Sequence, residues 1–288
     1  MPGGLITVGQ IIDHAWDHYR KHFVELISVS AWLLILAVLY TIAFALYPSA
    51  ADFYFNYDFT AVENFAITLA MITSFIVGPI LGIWIFASLV KLVAKQAQGA
   101  PINLKKVMHG SWKHFWPLVL VNVLFTLLIM APILLLAPGL LLTIFSISAT
   151  SGTMGSLGSL LIIAGIIAAI VVVIWLAVKY FFIGYTVVLD ERHGKAAFSA
   201  SSKLVKGRFW PLLGRLLVPK VLFFLLGAII QIVLIFVITA LITAFAGLNL
   251  DLAERLLSIT NSVVLIIVTI LINPIIIIAD YLIYDSAK

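Results

Sequence analysis

Six stretches of this chain are apolar for twenty residues or more: 24–47, 65–93, 116–137, 160–182, 212–246 and 256–278. A run of about 20 apolar residues spans the hydrocarbon core of a bilayer. Backbone in hydrocarbon must satisfy its own polar groups, which leaves helices or closed barrels. Barrel strands alternate lipid-facing and lumen-facing residues, whereas these runs are continuous. The sequence therefore predicts an all-α, polytopic membrane protein with six transmembrane helices. Composition supports this: 10% of residues are charged and 64% hydrophobic, where a soluble domain carries roughly 25% charged residues. The third run is irregular. Pro132 and Pro138-Gly139 interrupt it while 140–147 stays apolar. It reads as a long kinked helix or as a span followed by an interfacial turn. No polar linker divides the chain, so a single membrane domain over 1–288 is expected.

The connections differ in charge. The link 48–64 has Asp52, Asp58 and Glu63 but no Lys or Arg; 138–159 has no charge; 247–255 has Asp251, Glu254 and Arg255. The opposite side holds Arg20, Lys21, Lys91, Lys95, Lys105, Lys106, Lys113, Lys179, Arg192, Lys195, Lys203, Lys206, Arg208, Arg215 and Lys288, with all six His. By the positive-inside rule, both termini and the links near 94–115 and 183–211 are cytoplasmic. No cleavable signal pattern opens the chain, so Met1 is expected to begin the working protein. There is no Cys, which excludes disulfides, thiolate nucleophiles and Cys-zinc sites.

Three segments align without gaps: Arg20-Lys-His-Phe-Val-Glu-Leu26, Trp112-Lys-His-Phe-Trp-Pro-Leu118 and Lys206-Gly-Arg-Phe-Trp-Pro-Leu212. Their shared Phe23, Phe115 and Phe209 are 92 and 94 residues apart, and each segment opens an apolar run. The spacing predicts three parallel repeats of two helices, approximately 1–99, 100–194 and 195–288. Within 7–23, Val8, Ile11, Ile12, Ala15, Trp16, Tyr19 and Phe23 recur at helical spacing opposite Asp13, His14, Asp17, His18 and Lys21. Thr7 and Gln10 have capping-box spacing. This predicts an amphipathic helix on the cytoplasmic membrane surface, and 196–208 has the same character.

Gly9-Gln-Ile-Ile-Asp-His-Ala-Trp16 leads into Arg20-Lys-His-Phe23. Later come Leu189-Asp-Glu-Arg-His-Gly194, Ala197-Phe198, Ser201 and Leu204-Val-Lys-Gly-Arg-Phe-Trp210. These segments resemble the membrane domain that precedes the catalytic barrel of some bacterial glycerophosphodiester phosphodiesterases, a domain that also occurs as stand-alone membrane proteins. The resemblance spans nearly the whole chain and implies a multi-pass protein of a prokaryotic plasma membrane. The family's catalytic barrel has no counterpart here, so its metal-binding carboxylates, catalytic His and phosphodiesterase activity do not carry over.

The candidate sites follow from this layout. Basic residues beside aromatic rings at an interface suit anionic lipid headgroups, at about 1 kcal/mol per basic residue. The candidates are Lys105, Lys106, Lys113, His114, Lys203, Lys206 and Arg208, with Trp16, Phe23, Trp112, Phe115, Trp116, Phe209 and Trp210 as interfacial anchors. Juxtamembrane placement makes lipid, not nucleic acid, the expected partner; a protein partner stays unidentified. His14, His18 and His22 have i, i+4, i+8 spacing, but no acidic or Cys ligand completes a metal motif. Asn122, Gln231, Asn261 and Asn273 lie inside spans, where such residues hydrogen-bond between helices. Pro79 and Pro274 are expected helix breaks, freeing carbonyls near Phe75 and Ile270. Lys179 and Asp280 sit near span ends and can snorkel. The glycine-rich 151–159 reads as a flexible loop. No Walker loop, HExxH or GxSxG occurs. The expectation is a non-enzymatic module, without cofactor or metal, that binds lipid or scaffolds a partner acting on lipids. The alternative is a transporter of small molecules or ions.

Overall fold

The computed structural model describes residues 5–49, 58–148, 152–247 and 249–288. Asp52 of the acidic link and the first residue of the 151–159 run lie outside them. Among the described residues there is no strand, and six helical segments are long and apolar enough to cross a membrane. They are Phe23–Ala45, Ala61–Ala97, Leu104–Ile147, Thr153–Leu189, Phe209–Ala246 and Leu250–Ala287. The protein is an all-α multi-pass membrane protein. Its exposed surface carries large apolar side chains along every span, from Val38 and Phe75 to Phe236 and Leu265, as contact with lipid requires.

The chain forms two compact units, residues 1–115 with 214–286, and residues 116–213 with 287–288. The first begins with α1 (Val8–Lys21), which opens on a capping box between Thr7 and Gln10. Its apolar stripe buries Ile11, Ala15 and Tyr19, and Arg215 Nε donates to the Ile6 carbonyl at 2.6 Å. The first span combines α2 (Phe23–Ser30), a 3₁₀ turn (Ala31–Leu33) and α3 (Leu34–Ala45). The second runs through α4 (Ala61–Ile72), a π-helical turn (Thr73–Val77) and α5 (Gly78–Ala97). The expected break at Pro79 is thus a π turn in a continuing helix: the Gly78 N–H reaches the Thr73 carbonyl five residues back.

Short α6 (Leu104–Ser111) is capped by the Asn103 side chain. Trp84 Nε1 donates to the Met108 carbonyl at 3.1 Å, and Lys91 Nζ to the Gly110 carbonyl at 2.8 Å. Leu26, Ile85, Leu89, Ile275, Ile278 and Tyr284 are among the core of this unit.

The third span is continuous past Pro138. After a 3₁₀ turn (Trp112–His114), α7 (Phe115–Met130) leads through 3₁₀ turns (Ala131–Leu136) into α8 (Ala137–Ser148). The tighter segment holds Pro132. A proline there lacks an N–H and crowds the preceding turn, which favours this local rewinding.

The fourth span opens with α9 (Gly152–Lys179), so the glycine-rich run is helix rather than loop. Its glycines let α9 approach α8 and the 3₁₀ turns before it closely. A β-carbon on Gly158 would stand 2.8 Å from the Thr143 nitrogen, and one on Gly165 would stand 2.6 Å from the Leu135 carbonyl oxygen. Small residues at such seams give membrane helices their packing contact.

Two short helices follow, α10 (Ile183–Leu189) and α11 (Lys195–Val205). Two long helices, α12 (Phe209–Ala246) and α13 (Leu250–Ala287), close the chain. Pro274 lies inside α13, which continues through it as α-helix, so the expected break is absent. Loss of one N–H is tolerable in a long helix whose neighbours supply polar contacts. The Tyr19 hydroxyl donates to the Leu271 carbonyl at 2.9 Å, one residue beyond the carbonyl that Pro274 leaves without its usual donor. Asp251, Glu254 and Arg255, expected in a link, lie in the first turns of α13.

Candidate lipid-headgroup site

The site is built where α9 ends. The Lys179 ammonium lies 4.2 Å from the Trp175 ring centroid and 5.2 Å from that of Tyr180. Trp175 and Lys179 are one helical turn apart, so the ring and the cation share a face. The chain then turns at Tyr180–Phe182, and Ser201 of α11 seals the turn. Ser201 Oγ donates to the Lys179 carbonyl at 3.1 Å and accepts from the Phe182 N–H at 3.1 Å. Ser201 is fully buried. This clasp sets the end of α9 against α11 and brings Lys206 to the same cavity as Lys179.

That cavity measures about 280 Å³ and is lined by Trp175, Lys179, Ser202, Val205, Lys206, Gly207 and Phe209. Two ammonium groups and a hydroxyl supply donors; Trp175, Val205 and Phe209 supply apolar wall. Gly207 at φ +75° turns the chain from α11 towards α12. Chemically, the arrangement can neutralise a phosphate while an apolar tail continues over the aromatic rings.

Lys203 lines a different cavity in the same unit. It measures about 520 Å³, with Asp190, Arg192, Ala200, Leu204 and Lys288 around it. Lys288 Nζ pairs with Asp190 Oδ1 at 2.8 Å. The turn that carries Asp190 uses positive φ at Glu191, +53°, and Gly194, +50°. Arg208 is exposed, and its Nη1 donates to the Ala287 carbonyl at 3.5 Å.

Of the remaining sequence candidates, Trp116, Phe209 and Trp210 belong to the second unit and the others to the first. Lys105, Lys106 and Lys113 are exposed on α6 and the turn after it. His114 is only 2% exposed, so it cannot face a headgroup at the surface; the 3₁₀ turn points it inward. Phe115 is likewise buried, stacked on Trp112 with centroids 4.9 Å apart, and is not an exposed anchor. Trp16, Phe23, Trp112, Trp116 and Trp210 are exposed, and Phe209 is half-buried. The six expected basic residues are divided between the two units. Three belong to each unit, and Lys203 and Lys206 line separate cavities.

Two residues escaped the sequence reading. Lys179 stood there only as a snorkelling group, although its i, i+4 relation to Trp175 was visible. Lys220 was not singled out, yet its Nζ lies 3.2 Å from Asp280 Oδ2, joining α12 to α13 in the first unit. Its partner is 60 residues away, so spacing alone gave no signal.

His14, His18 and His22 do not gather around a common point. His18 Nε2 donates to Gln96 Oε1 at 2.9 Å, and its ring lies 4.9 Å from that of His22. Among the described residues no group of three or more His, Asp or Glu stands close enough to hold a metal. Burial lowers the His18 pKa, with smaller contributions in the same direction from His22 and Lys21; the Gln96 hydrogen bond opposes them.

No family model, curated protein or solved structure matches this chain.

Proposed function

We propose that this integral membrane protein is a non-enzymatic module that binds anionic lipid headgroups at its basic interfacial end. The observation that carries the reading is the cavity where Lys179 and Lys206 meet Trp175 and Phe209. Juxtamembrane cations attract anionic lipid, and an aromatic wall offers a place for the first part of the acyl region. The reading includes a prokaryotic plasma membrane, cytoplasmic termini and kinship with the stand-alone membrane domains that resemble those of glycerophosphodiester phosphodiesterases. It also includes three repeats. In support, Phe23, Phe115 and Phe209 are each the first residue of a helix, and each helix follows a short helical segment.

The test is native mass spectrometry of the full chain with phosphatidylglycerol. Replacing Lys179 and Lys206 by Gln should weaken retention about thirtyfold, each charge contributing about 1 kcal/mol. Neutralising Lys105, Lys106, Lys113, Lys203 and Arg208 as well should weaken it further, and added salt should mimic both changes. Retention that ignores all these substitutions and salt would overturn the proposal. Turnover of a glycerophosphodiester by the purified chain would overturn the non-enzyme reading.

One observation favours the alternative, transport: the Lys220–Asp280 pair lies within spans, where ionisable groups commonly mark pathways. Reconstituted vesicles should then show an ion or proton flux that Asp280→Asn abolishes. Flux equal to that of empty vesicles would remove this alternative.

A further inference from the structure

A second kind of site lies in the first unit, where α3 ends and α13 begins. Its cavity measures about 220 Å³, and Phe44, Tyr47, Asp251, Glu254, Arg255 and Ser258 are among its lining residues. The Phe44 and Tyr47 rings have centroids 5.7 Å apart and planes tilted by 59°. At that angle they do not cover one another's faces. Tyr40 stacks behind Phe44 with centroids 5.8 Å apart and holds it in place.

The charges at the cavity are unequal. Arg255 Nε donates to Asp251 Oδ2 at 3.0 Å, and its Nη1 donates to the Ala45 carbonyl at 3.1 Å. The guanidinium is therefore committed to a carboxylate and to the last carbonyl of α3. Glu254 is exposed and makes no ion pair among the described residues. Two carboxylates and one guanidinium leave the wall with a formal charge of −1. A hard divalent ion wants several converging oxygens, and the described residues hold no such cluster. Aromatic faces instead favour a weakly hydrated organic cation.

We propose that this cavity binds an alkylammonium group, with Phe44 and Tyr47 against its alkyl shell and Glu254 as counter-ion. Its source is either a zwitterionic lipid headgroup or a free amine; both present the same chemistry. Ile42 and Leu46, exposed on the same span, would lie beside the acyl chains of a bound lipid.

The experiment uses the full chain in nanodiscs. Native mass spectrometry measures phosphatidylcholine against phosphatidylglycerol with identical acyl chains, and calorimetry measures tetramethylammonium. Tetramethylammonium should bind and should displace phosphatidylcholine. Glu254→Gln should weaken both about tenfold, and Phe44→Leu or Tyr47→Leu about three- to tenfold. Glu254→Gln should leave phosphatidylglycerol retention unchanged, which separates this site from the basic cavity. Tetramethylammonium binding without any preference for phosphatidylcholine would identify the occupant as a free amine. Glu254 is exposed, so its conservative variant keeps the test valid if an aromatic variant loses its fold. Absence of tetramethylammonium binding, or binding by Glu254→Gln equal to the unaltered chain, would overturn the proposal.

Discussion

At the residue scale, two polar contacts within the first unit lead to opposite kinds of prediction. His18 is partly buried against Gln96, and burial disfavours its charged form; Lys21 and His22 on the same helix add repulsion. Its folded pKa lies below 6.5, so the docked α1 binds fewer protons than an undocked one. The stability gained from neutral His18 is complete above pH 6.5 and is lost as pH falls through the lowered value. The protection of α1 amides relative to their intrinsic exchange rates should therefore fall between pH 7.5 and pH 5 (roughly the histidine range), and His18→Gln should flatten that dependence. An unchanged pH profile in the variant would assign the effect elsewhere. Tyr19, one position on, is pushed up to about 12 by burial and stays a hydrogen-bond donor throughout. The Lys220–Asp280 pair behaves differently. Asp280's side chain is 9% exposed and that of Lys220 is 32% exposed. Asp280→Leu or Lys220→Met alone strands a partly buried charge, at about 1–3 kcal/mol, below the range for fully buried pairs because Lys220 stays partly open. The double variant should recover much of the loss in thermal unfolding. A double variant as unstable as the sum of the singles would mean that the two residues do not couple.

At the scale of elements, the seam that α9 makes with α8 and the 3₁₀ turns before it gives a sharp prediction, because glycine is otherwise a poor helix residue. A helical Gly→Ala change normally stabilises by about 0.5–1 kcal/mol. At Gly165 the new β-carbon would meet the Leu135 carbonyl oxygen at 2.6 Å, which is backbone and cannot swing away. Gly165→Ala should therefore destabilise by about 1–3 kcal/mol. Gly82→Ala and Gly214→Ala, with nothing within 4 Å, should be neutral or slightly stabilising. Equal melting shifts in all three would discard the seam as a packing element. The same seam shows where sequence reading reached and where it stopped. Apolar length alone placed all six spans, and the Thr7–Gln10 capping box was legible from two residues. The run at 151–159 was not legible as helix, because Gly and Ser mark both loops and close helix contacts, and only a facing partner tells them apart. Pro79 and Pro274 looked alike in sequence, yet one is met by a π turn and the other sits inside an unbroken α-helix. His114 and Phe115 point outward on the motif, yet both are buried in the fold, where His114 ends a 3₁₀ turn and Phe115 begins α7. In the candidate site, the Lys206 motif was legible; its meeting with Lys179 depends on the Ser201 clasp, a contact 22 residues apart in sequence.

At the scale of the whole molecule, charge asymmetry predicts orientation. Lys and Arg near short loops are retained on the cytoplasmic side, and acidic residues contribute little to that choice. The links 48–64 and 138–159 contain no Lys or Arg, whereas 94–115 and 183–211 together hold nine. Both termini should therefore be cytoplasmic, with Asp58 and Met154 outside. The chain has no Cys, so single cysteines introduced into it report one position each. Fold geometry guides their choice. Gly99 and Gly194 are central to the basic links but sit at φ +64° and +50°, where a β-carbon is strained. Gln98 and His193, exposed beside them, avoid that strain. On the other side Asp58 and Met154 are exposed. In intact cells, an impermeant maleimide should label Asp58→Cys and Met154→Cys but spare Gln98→Cys and His193→Cys until the membrane is opened. Reversed labelling of both pairs would invert the protein. It would put the Lys179–Lys206 cavity on the side without the negative cytoplasmic surface potential that attracts basic segments. Labelling of one outer position without the other would mean that one of the six apolar helices does not cross.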